Sequence, residues 1–134
     1  MRIVLDTNVF ISGIFFSGPP SQILTAWKNS KIQIVLSQEI LKEYQRVAVS
    51  LADKFTTIDI LPIIELVIIH GQFIDTKGFE VSVCDDPDDN KFIECAIASN
   101  NKIIVSGDKH LLKVSGFQGI TVLKPREFVD SYLK

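Results

Sequence analysis

The sequence predicts a three-layer α/β/α domain around a central parallel sheet. Short apolar segments suited to strands alternate with helical segments along the whole chain, an order typical of parallel sheets covered by helices. The first apolar segment, Ile3-Val4-Leu5, is uninterrupted, as expected of a strand buried on both faces. The 134 residues suit a single domain, 1–134, with one hydrophobic core.

Local signals predict the individual elements. Gly13 and the Ser17-Gly18-Pro19-Pro20 run interrupt the chain before the first helix. Ser37 is a good N-cap for the second helix. Pro62 argues that the third helix starts later than its apolar pattern suggests, and Pro125 opens the last helix at its first position. Predicted strands cover residues 2–5, 32–36, 73–75, 103–105 and 120–123, and predicted helices cover 21–29, 38–50, a stretch ending near 70, 87–99 and the residues from 125 onward.

Composition narrows the class of protein. Hydrophobic residues make up 46% of the chain and charged residues 22%, and the net charge is −2. This balance is ordinary for a globular protein and argues against a basic protein that coats nucleic acid. Cys84 and Cys95 form no Cys-x-x-Cys pair, so a thiolate zinc site is not expected. We expect free thiols, no signal peptide, no membrane span and a cytoplasmic protein.

Four acidic residues are the most informative feature of the chain. Asp6 and Asp108 each follow a predicted strand, and Glu43 and Asp89 lie on predicted helices. Function in an open parallel sheet collects beyond the carboxyl ends of the strands, so we expect these side chains to converge there. Carboxylates gathered in a dry pocket need a cation, and Mg²⁺ or Mn²⁺ suits oxygen ligands.

The two helical acids sit at positions that ask for an explanation. Glu43 lies on the margin of the buried stripe that includes Ile40 and Tyr44. Asp89 shares a helix face with Phe92, while Lys91 is expected to point away from that face. A carboxylate at a helix start can accept hydrogen bonds from free backbone N–H groups.

Each acid also has a structural alternative when taken alone. Asp6 and Asp108 suit turns after strands, Asp89 suits a helix cap, and Glu43 suits a surface salt bridge. Asp86 is predicted to be the N-cap before Pro87. The metal site is favoured because the structural account requires separate coincidences for all four acids.

Three segments, taken in order, resemble motifs of the PIN-domain family. They are Asp6-Thr7-Asn8-Val9-Phe10, the 86–92 segment Asp-Pro-Asp-Asp-Asn-Lys-Phe, and the 106–112 segment Ser-Gly-Asp-Lys-His-Leu-Leu, with Glu43 matching the second acid. The resemblance implies a parallel sheet of strand order 3-2-1-4-5 and hydrolysis of RNA phosphodiester bonds with Mg²⁺ or Mn²⁺. The branch that it resembles contains VapC-type toxins of toxin–antitoxin pairs, which implies a homodimer and a cognate antitoxin.

The same resemblance assigns roles to residues. The metal and catalytic acids are Asp6, Glu43, Asp89 and Asp108, and the polar supports are Asn8, Ser106 and His110. Many family members carry a further acid where His110 stands, so the number of ions is open. Candidates for contact with the RNA backbone are Arg46, Lys91 and Lys109. Two aromatic residues, Phe15 and Phe16, could stack on a base, and the alternative for both is a role in the core or in a dimer contact.

Two other functions stay open on the sequence. The first is a PIN-fold module that binds RNA or a protein without cutting. The second is a receiver-type domain that accepts a phosphoryl group, which requires paired acids after the first strand and an acceptor Asp after the third. Asp6 stands alone after the first strand, which argues against this alternative.

Overall fold

A five-stranded sheet forms the centre of the chain in a computed structural model that describes residues 1–134. The strands are β1 (Arg2–Leu5), β2 (Gln33–Leu36), β3 (Gln72–Phe73), β4 (Ile103–Val105) and β5 (Thr121–Leu123). All neighbouring strands are parallel, in the order β3-β2-β1-β4-β5. The predicted strand order 3-2-1-4-5 is confirmed.

Seven α-helices flank the sheet and complete the predicted α/β/α layers. They are α1 (Thr7–Phe15), α2 (Pro19–Lys28), α3 (Gln38–Ala52), α4 (Leu61–His70), α5 (Asn90–Ala98), α6 (Lys109–Lys113) and α7 (Pro125–Phe128). A 3-10 turn, Pro87–Asp89, precedes α5, a second, Phe117–Gly119, precedes β5, and a π turn, Val129–Leu133, follows α7. None of these helices is long and apolar enough to cross a lipid bilayer.

The central strand β1 is buried along most of its length. Ile3, Val4 and Leu5 are fully buried, because β2 and β4 pair with β1 on its two sides and helices cover its faces. The helix α5 packs against β1, β2 and β4. The carboxyl end of β1 therefore lies in the middle of the sheet edge, beside the end of β4.

The helix α1 was not predicted. Gly13 was interpreted as a chain break, but it lies inside α1. A Cβ atom at Gly13 would lie 2.7 Å from Leu24 Cδ1 and 2.8 Å from the backbone oxygen of Pro20. Gly13 therefore serves close packing of α1 against α2, which local sequence signals do not reveal.

Several bounds also differ from the prediction. The strands β2, β3 and β5 cover residues 33–36, 72–73 and 121–123, where 32–36, 73–75 and 120–123 were predicted. The helix α2 begins at Pro19, two residues early, because both prolines of the run occupy its first turn. The helix α5 begins at Asn90, after the 3-10 turn, and not at Pro87. The short helix α6 was predicted as loop. The cap of α3 is confirmed, since Ser37 Oγ accepts a hydrogen bond from Ile40 N at 3.3 Å.

Candidate functional site

Two of the four acids meet because their strands are neighbours. Leu5 of β1 is paired with Val105 of β4, and Asp6 N donates a hydrogen bond to Val105 O at 3.0 Å. Asp6 follows β1 directly, and Asp108 follows β4 after a two-residue connection. Both carboxylates are thus carried to the same edge of the sheet, as the strand pattern predicted.

Ser106 connects these two acids. It is fully buried, its Oγ donates to Asp6 Oδ2 at 2.6 Å, and the same Oγ accepts from Asp108 N at 2.9 Å. Asp108 Oδ1 in turn accepts from His110 N at 2.7 Å and caps α6. Ser106 therefore orients the Asp6 carboxylate and the backbone of the second acid together.

Glu43 reaches the site from α3. Tyr44 anchors this helix, because its buried hydroxyl donates to Leu5 O at 2.6 Å and its ring stacks on Phe10 with centroids 4.2 Å apart. The neighbouring Glu43 accepts a hydrogen bond from Thr7 Oγ1 on Oε2, and Lys91 Nζ lies 3.3 Å from its Oε1. One Glu43 oxygen therefore accepts a hydrogen bond from the protein, and the other lies in a salt bridge with Lys91.

Asp89 lies at the junction of the 3-10 turn and α5. Its Oδ2 is buried and has no hydrogen-bond partner, and the Asp89 side chain does not cap α5, which was the structural alternative for this residue. Burial raises the pKa of Asp89 to about 6, and the nearby charges of Asp108 and Asp6 act in the same direction. A buried carboxylate oxygen without a hydrogen-bond donor lowers the stability of the fold. Such an oxygen is suited to bind a cation.

Asp6 shows the same electrostatic conflict. Burial raises the pKa of Asp6, the hydrogen bond from Ser106 opposes this, and the charges of Asp108 and Glu43 raise it further. Asp6, Asp89 and Asp108 form no salt bridge with any lysine, arginine or histidine. These three acids therefore share one end of the sheet without a cationic partner from the chain.

The donor chemistry fits a hard divalent ion, and the placement of the side chains fits it only in part. Carboxylate oxygens are preferred by Mg²⁺ and Mn²⁺, and Asp89 Oδ2 lacks any other partner. However, no group of three or more His, Cys, Asp and Glu side chains is arranged to hold an ion. The carboxylates of Asp6, Asp89 and Asp108 therefore do not form a ready-made site with three ligands.

The remaining predicted site residues differ in their exposure and in their contacts. Asn8 is exposed, and its side chain makes no hydrogen bond within the protein. His110 Nδ1 lies 3.9 Å from Asp85 Oδ2, so its imidazole faces Asp85. Lys109 is exposed, and Arg46 has a side chain that is 72% exposed, with Nη2 3.7 Å from Glu43 Oε1.

The prediction for Lys91 was wrong in its direction. Lys91 was expected to point away from the buried face, but its side chain is only 8% exposed. Its ammonium lies 5.2 Å from the centroid of the Phe92 ring and donates to Asp88 O at 2.6 Å. Lys91 lies in the first turn of α5, and its long side chain reaches Glu43 on α3, a contact that the periodicity of one helix does not reveal. The predicted capping role of Asp86 is confirmed, since its Oδ1 accepts from Asp88 N at 3.0 Å.

Thr7 is a site residue to which the sequence assigned no role. It is buried and donates to Glu43 from the first turn of α1. The signal available was its position between Asp6 and Asn8 in the first motif. Because α1 was not predicted, the sequence did not indicate that the Thr7 side chain points inward.

A separate cavity of about 450 Å³ lies at the opposite end of the sheet. It is lined by residues at the amino ends of β1 and β2, together with Trp27, Lys28 and His70, and it includes none of the four acids. The acidic cluster is therefore not part of this cavity.

Comparison with known proteins agrees with this architecture. Uncharacterized protein MJ1680 of Methanocaldococcus jannaschii is 33% identical to the chain over 150 aligned positions, which include the whole chain and 93% of that relative. The model of the PIN domain matches residues 2–110, a span that contains Asp6, Glu43, Asp89 and Asp108. This match over most of the chain, on a parallel sheet of the expected strand order, shows that the chain belongs to the PIN domain family.

Proposed function

We propose that the chain is a metal-dependent endoribonuclease that hydrolyses RNA phosphodiester bonds with Mg²⁺ or Mn²⁺. PIN domains are typically nucleases, and they generally use divalent metals. The observation that carries the proposal is the buried Asp89 Oδ2, which has no donor and feels the charges of Asp108 and Asp6. This combination fits a group that binds a cation.

The chain's own residues would prepare the site for the ion. Asp6 and Asp89 are the proposed direct ligands, and Asp108 binds directly or through water. Ser106 keeps Asp6 oriented and ties it to the loop that carries Asp108. When bound, a divalent ion supplies a nucleophilic water near neutral pH and stabilises the leaving oxygen.

The RNA would approach from the exposed side of this edge. Arg46 and Lys109 are exposed and are proposed to contact phosphates, which lysine and arginine bind without sequence preference. Phe16 is 54% exposed and contacts Phe55 edge-on, so its free face suits stacking on a base. Phe15 is buried and belongs to the core. Lys91 is not proposed as a phosphate contact, because its ammonium is engaged inside the protein.

The toxin role, the antitoxin and the homodimer follow only from the resemblance to VapC-type proteins. Exposed apolar side chains on α4, namely Leu61, Ile68 and Ile69, support a protein-binding surface on this helix. Size-exclusion chromatography of wild type and Ile69→Glu tests the dimer. A monomer for the wild-type protein would contradict it.

The test of the nuclease proposal compares variants of the same substitution type. Wild type, Asp6→Asn, Asp89→Asn and the control Asp53→Asn are incubated with a mixed RNA pool, with Mn²⁺ or with chelator. Asp53 is exposed and lies away from the site, at the end of α3. We expect cleavage by wild type and Asp53→Asn with Mn²⁺ only. Cleavage that survives both site substitutions would contradict the proposal.

A second candidate is a PIN-fold module that binds RNA without cutting. Two observations favour it: no three acids form a ready ion site, and Glu43 is already neutralised by Lys91. RNA retention on the wild-type protein without cleavage and without Mn²⁺ uptake would support this candidate. The receiver-type alternative is wrong, because receiver domains have the order 2-1-3-4-5 and the chain has 3-2-1-4-5.

A further inference from the structure

Lys91 is a buried lysine inside an acidic cluster. Its side chain is 8% exposed, and Nζ lies 3.3 Å from Glu43 Oε1 and 3.1 Å from Asp88 Oδ1. The ammonium also donates to Asp88 O at 2.6 Å. Lysine is almost never buried unless it is paired, so these contacts define a specific position for its charge.

The contacts of Lys91 divide the four acids into two groups. Glu43 has one oxygen on Lys91 and the other on Thr7 Oγ1, which leaves no oxygen without a protein partner. The second group, Asp6, Asp89 and Asp108, receives hydrogen bonds from a hydroxyl and backbone amides at most. Only this second group lacks a positive charge in contact with it.

The exposed cations nearby differ from the buried Lys91. Arg46 Nη2 also lies 3.7 Å from Glu43 Oε1, but its side chain is 72% exposed. Lys113 pairs with Asp85 at 2.9 Å, but its side chain is 68% exposed. A surface pair of this kind contributes little and releases its lysine easily. The Lys91 ammonium is enclosed by Glu43, Asp88 and the Phe92 ring, so breaking its pairs would leave buried charge unpaired.

We propose that Lys91 is a positioning residue whose ammonium serves as a built-in cation for Glu43 and Asp88, so that the chain takes up a single divalent ion, at Asp6, Asp89 and Asp108. This inference rests on the proposed metal site and specifies its stoichiometry. A second ion would have to displace the ammonium from Glu43. The Lys91 ammonium thus occupies the space beside Glu43 Oε1 that a second ion bound by Glu43 would need.

Metal uptake tests this inference without relying on activity. Isothermal titration of metal-free protein with Mn²⁺ is carried out on wild type, Lys91→Met and Lys113→Met. We expect one Mn²⁺ per chain for wild type and for the control Lys113→Met, which loses an exposed lysine–carboxylate pair. Lys91→Met leaves Asp88 without a salt bridge and leaves Glu43 with only the exposed Arg46, whose Nη2 lies 3.7 Å from Glu43 Oε1, so we expect two Mn²⁺ per chain. The double variant Lys91→Met/Glu43→Gln should return to one.

A further pair of variants keeps the test independent of whether Lys91→Met folds. If Glu43 pairs with Lys91 and does not bind the ion, Glu43→Gln should change the Kd for Mn²⁺ by less than about tenfold. Asp89→Asn should raise this Kd by more than about tenfold. Thermal melting of each variant verifies that it is folded.

The outcomes separate this inference from the function on which it rests. Two Mn²⁺ per wild-type chain, one per Lys91→Met chain, or equal losses for Glu43→Gln and Asp89→Asn would overturn the role of Lys91 while leaving the metal site in place. Weaker RNA binding in chelator by Lys91→Met, with unchanged Mn²⁺ uptake, would identify a phosphate contact and also overturn it. No Mn²⁺ uptake by wild type would overturn both proposals.

Discussion

The hydroxyl of Ser106 donates a hydrogen bond to Asp6 Oδ2 at 2.6 Å, across a separation of 100 residues in the chain. The same oxygen accepts from Asp108 N at 2.9 Å. One fully buried side chain therefore fixes the carboxylate at the end of β1 and the loop at the end of β4. Such supporting contacts orient ligands of metal sites and tune their affinity.

Removing this hydroxyl should lower Mn²⁺ affinity and RNA cleavage more than it lowers the stability of the fold. For Ser106→Ala we expect a loss of about 10–100-fold in Mn²⁺ affinity or in RNA cleavage, because Asp6 loses its orienting donor. Titration calorimetry and a cleavage assay measure the two effects. Ser115→Ala is the matched control, since Ser115 Oγ accepts from Val122 N at 2.9 Å and is bonded to none of the four acids. Equal losses in both variants would contradict a specific role for Ser106.

The raised pKa of Asp89 predicts a pH dependence of stability in the absence of metal. Burial raises this pKa from 3.8 to about 6, so the folded state holds the proton more tightly than the unfolded state does. The free energy of unfolding should therefore fall as pH rises from about 4 to about 6. Asp89→Asn has no such proton, so it should gain stability relative to wild type over this window.

Thermal melting in chelator between pH 4 and pH 8 measures this difference. Mn²⁺ should restore the stability of the wild-type protein above pH 6, since the ion replaces the proton on Asp89. It should have less effect on the stability of Asp89→Asn. A difference between the two proteins that does not change with pH would contradict the assignment.

Gly13 and Gly107 offer a matched test of close packing. A Cβ at Gly13 would lie 2.7 Å from Leu24 Cδ1, whereas a Cβ at Gly107 would have nothing within 4 Å. For Gly13→Ala we expect a loss of about 1–3 kcal/mol in the free energy of unfolding from overpacking. Gly107→Ala should be close to neutral in urea denaturation. Similar midpoints for the two variants would contradict the tight contact between α1 and α2.

The buried hydroxyl of Tyr44 is expected to stabilise the end of β1. In Tyr44→Phe, Leu5 O loses its partner at 2.6 Å while the stack on Phe10 is kept. An unsatisfied buried carbonyl costs about 1–3 kcal/mol, measured by chemical denaturation. Tyr132→Phe is the control, because Tyr132 is half exposed and its hydroxyl makes no bond within the protein. An unchanged stability of Tyr44→Phe would show that the bond adds nothing.

Local signals in the sequence were sufficient to locate the strands of the sheet. The apolar segments at Arg2–Leu5 and Ile103–Val105 are strands with the predicted bounds, because continuous apolar runs next to turns suit strands buried on both faces. Ser37 and Pro125 begin helices as predicted, since capping depends on a few adjacent residues. The strand order came from the family resemblance and not from these signals.

The order of residues is enough to show which acids follow strands or lie on helices, and with them the edge of the sheet where Asp6 and Asp108 meet. Packing between distant elements brings Thr7 and Lys91 to Glu43 and leaves Asp89 Oδ2 without a partner. Periodicity describes one helix at a time, whereas these contacts depend on the relative placement of α1, α3 and α5. A charge is neutralised by whatever lies within a few ångströms in space, and that distance is set by packing between elements.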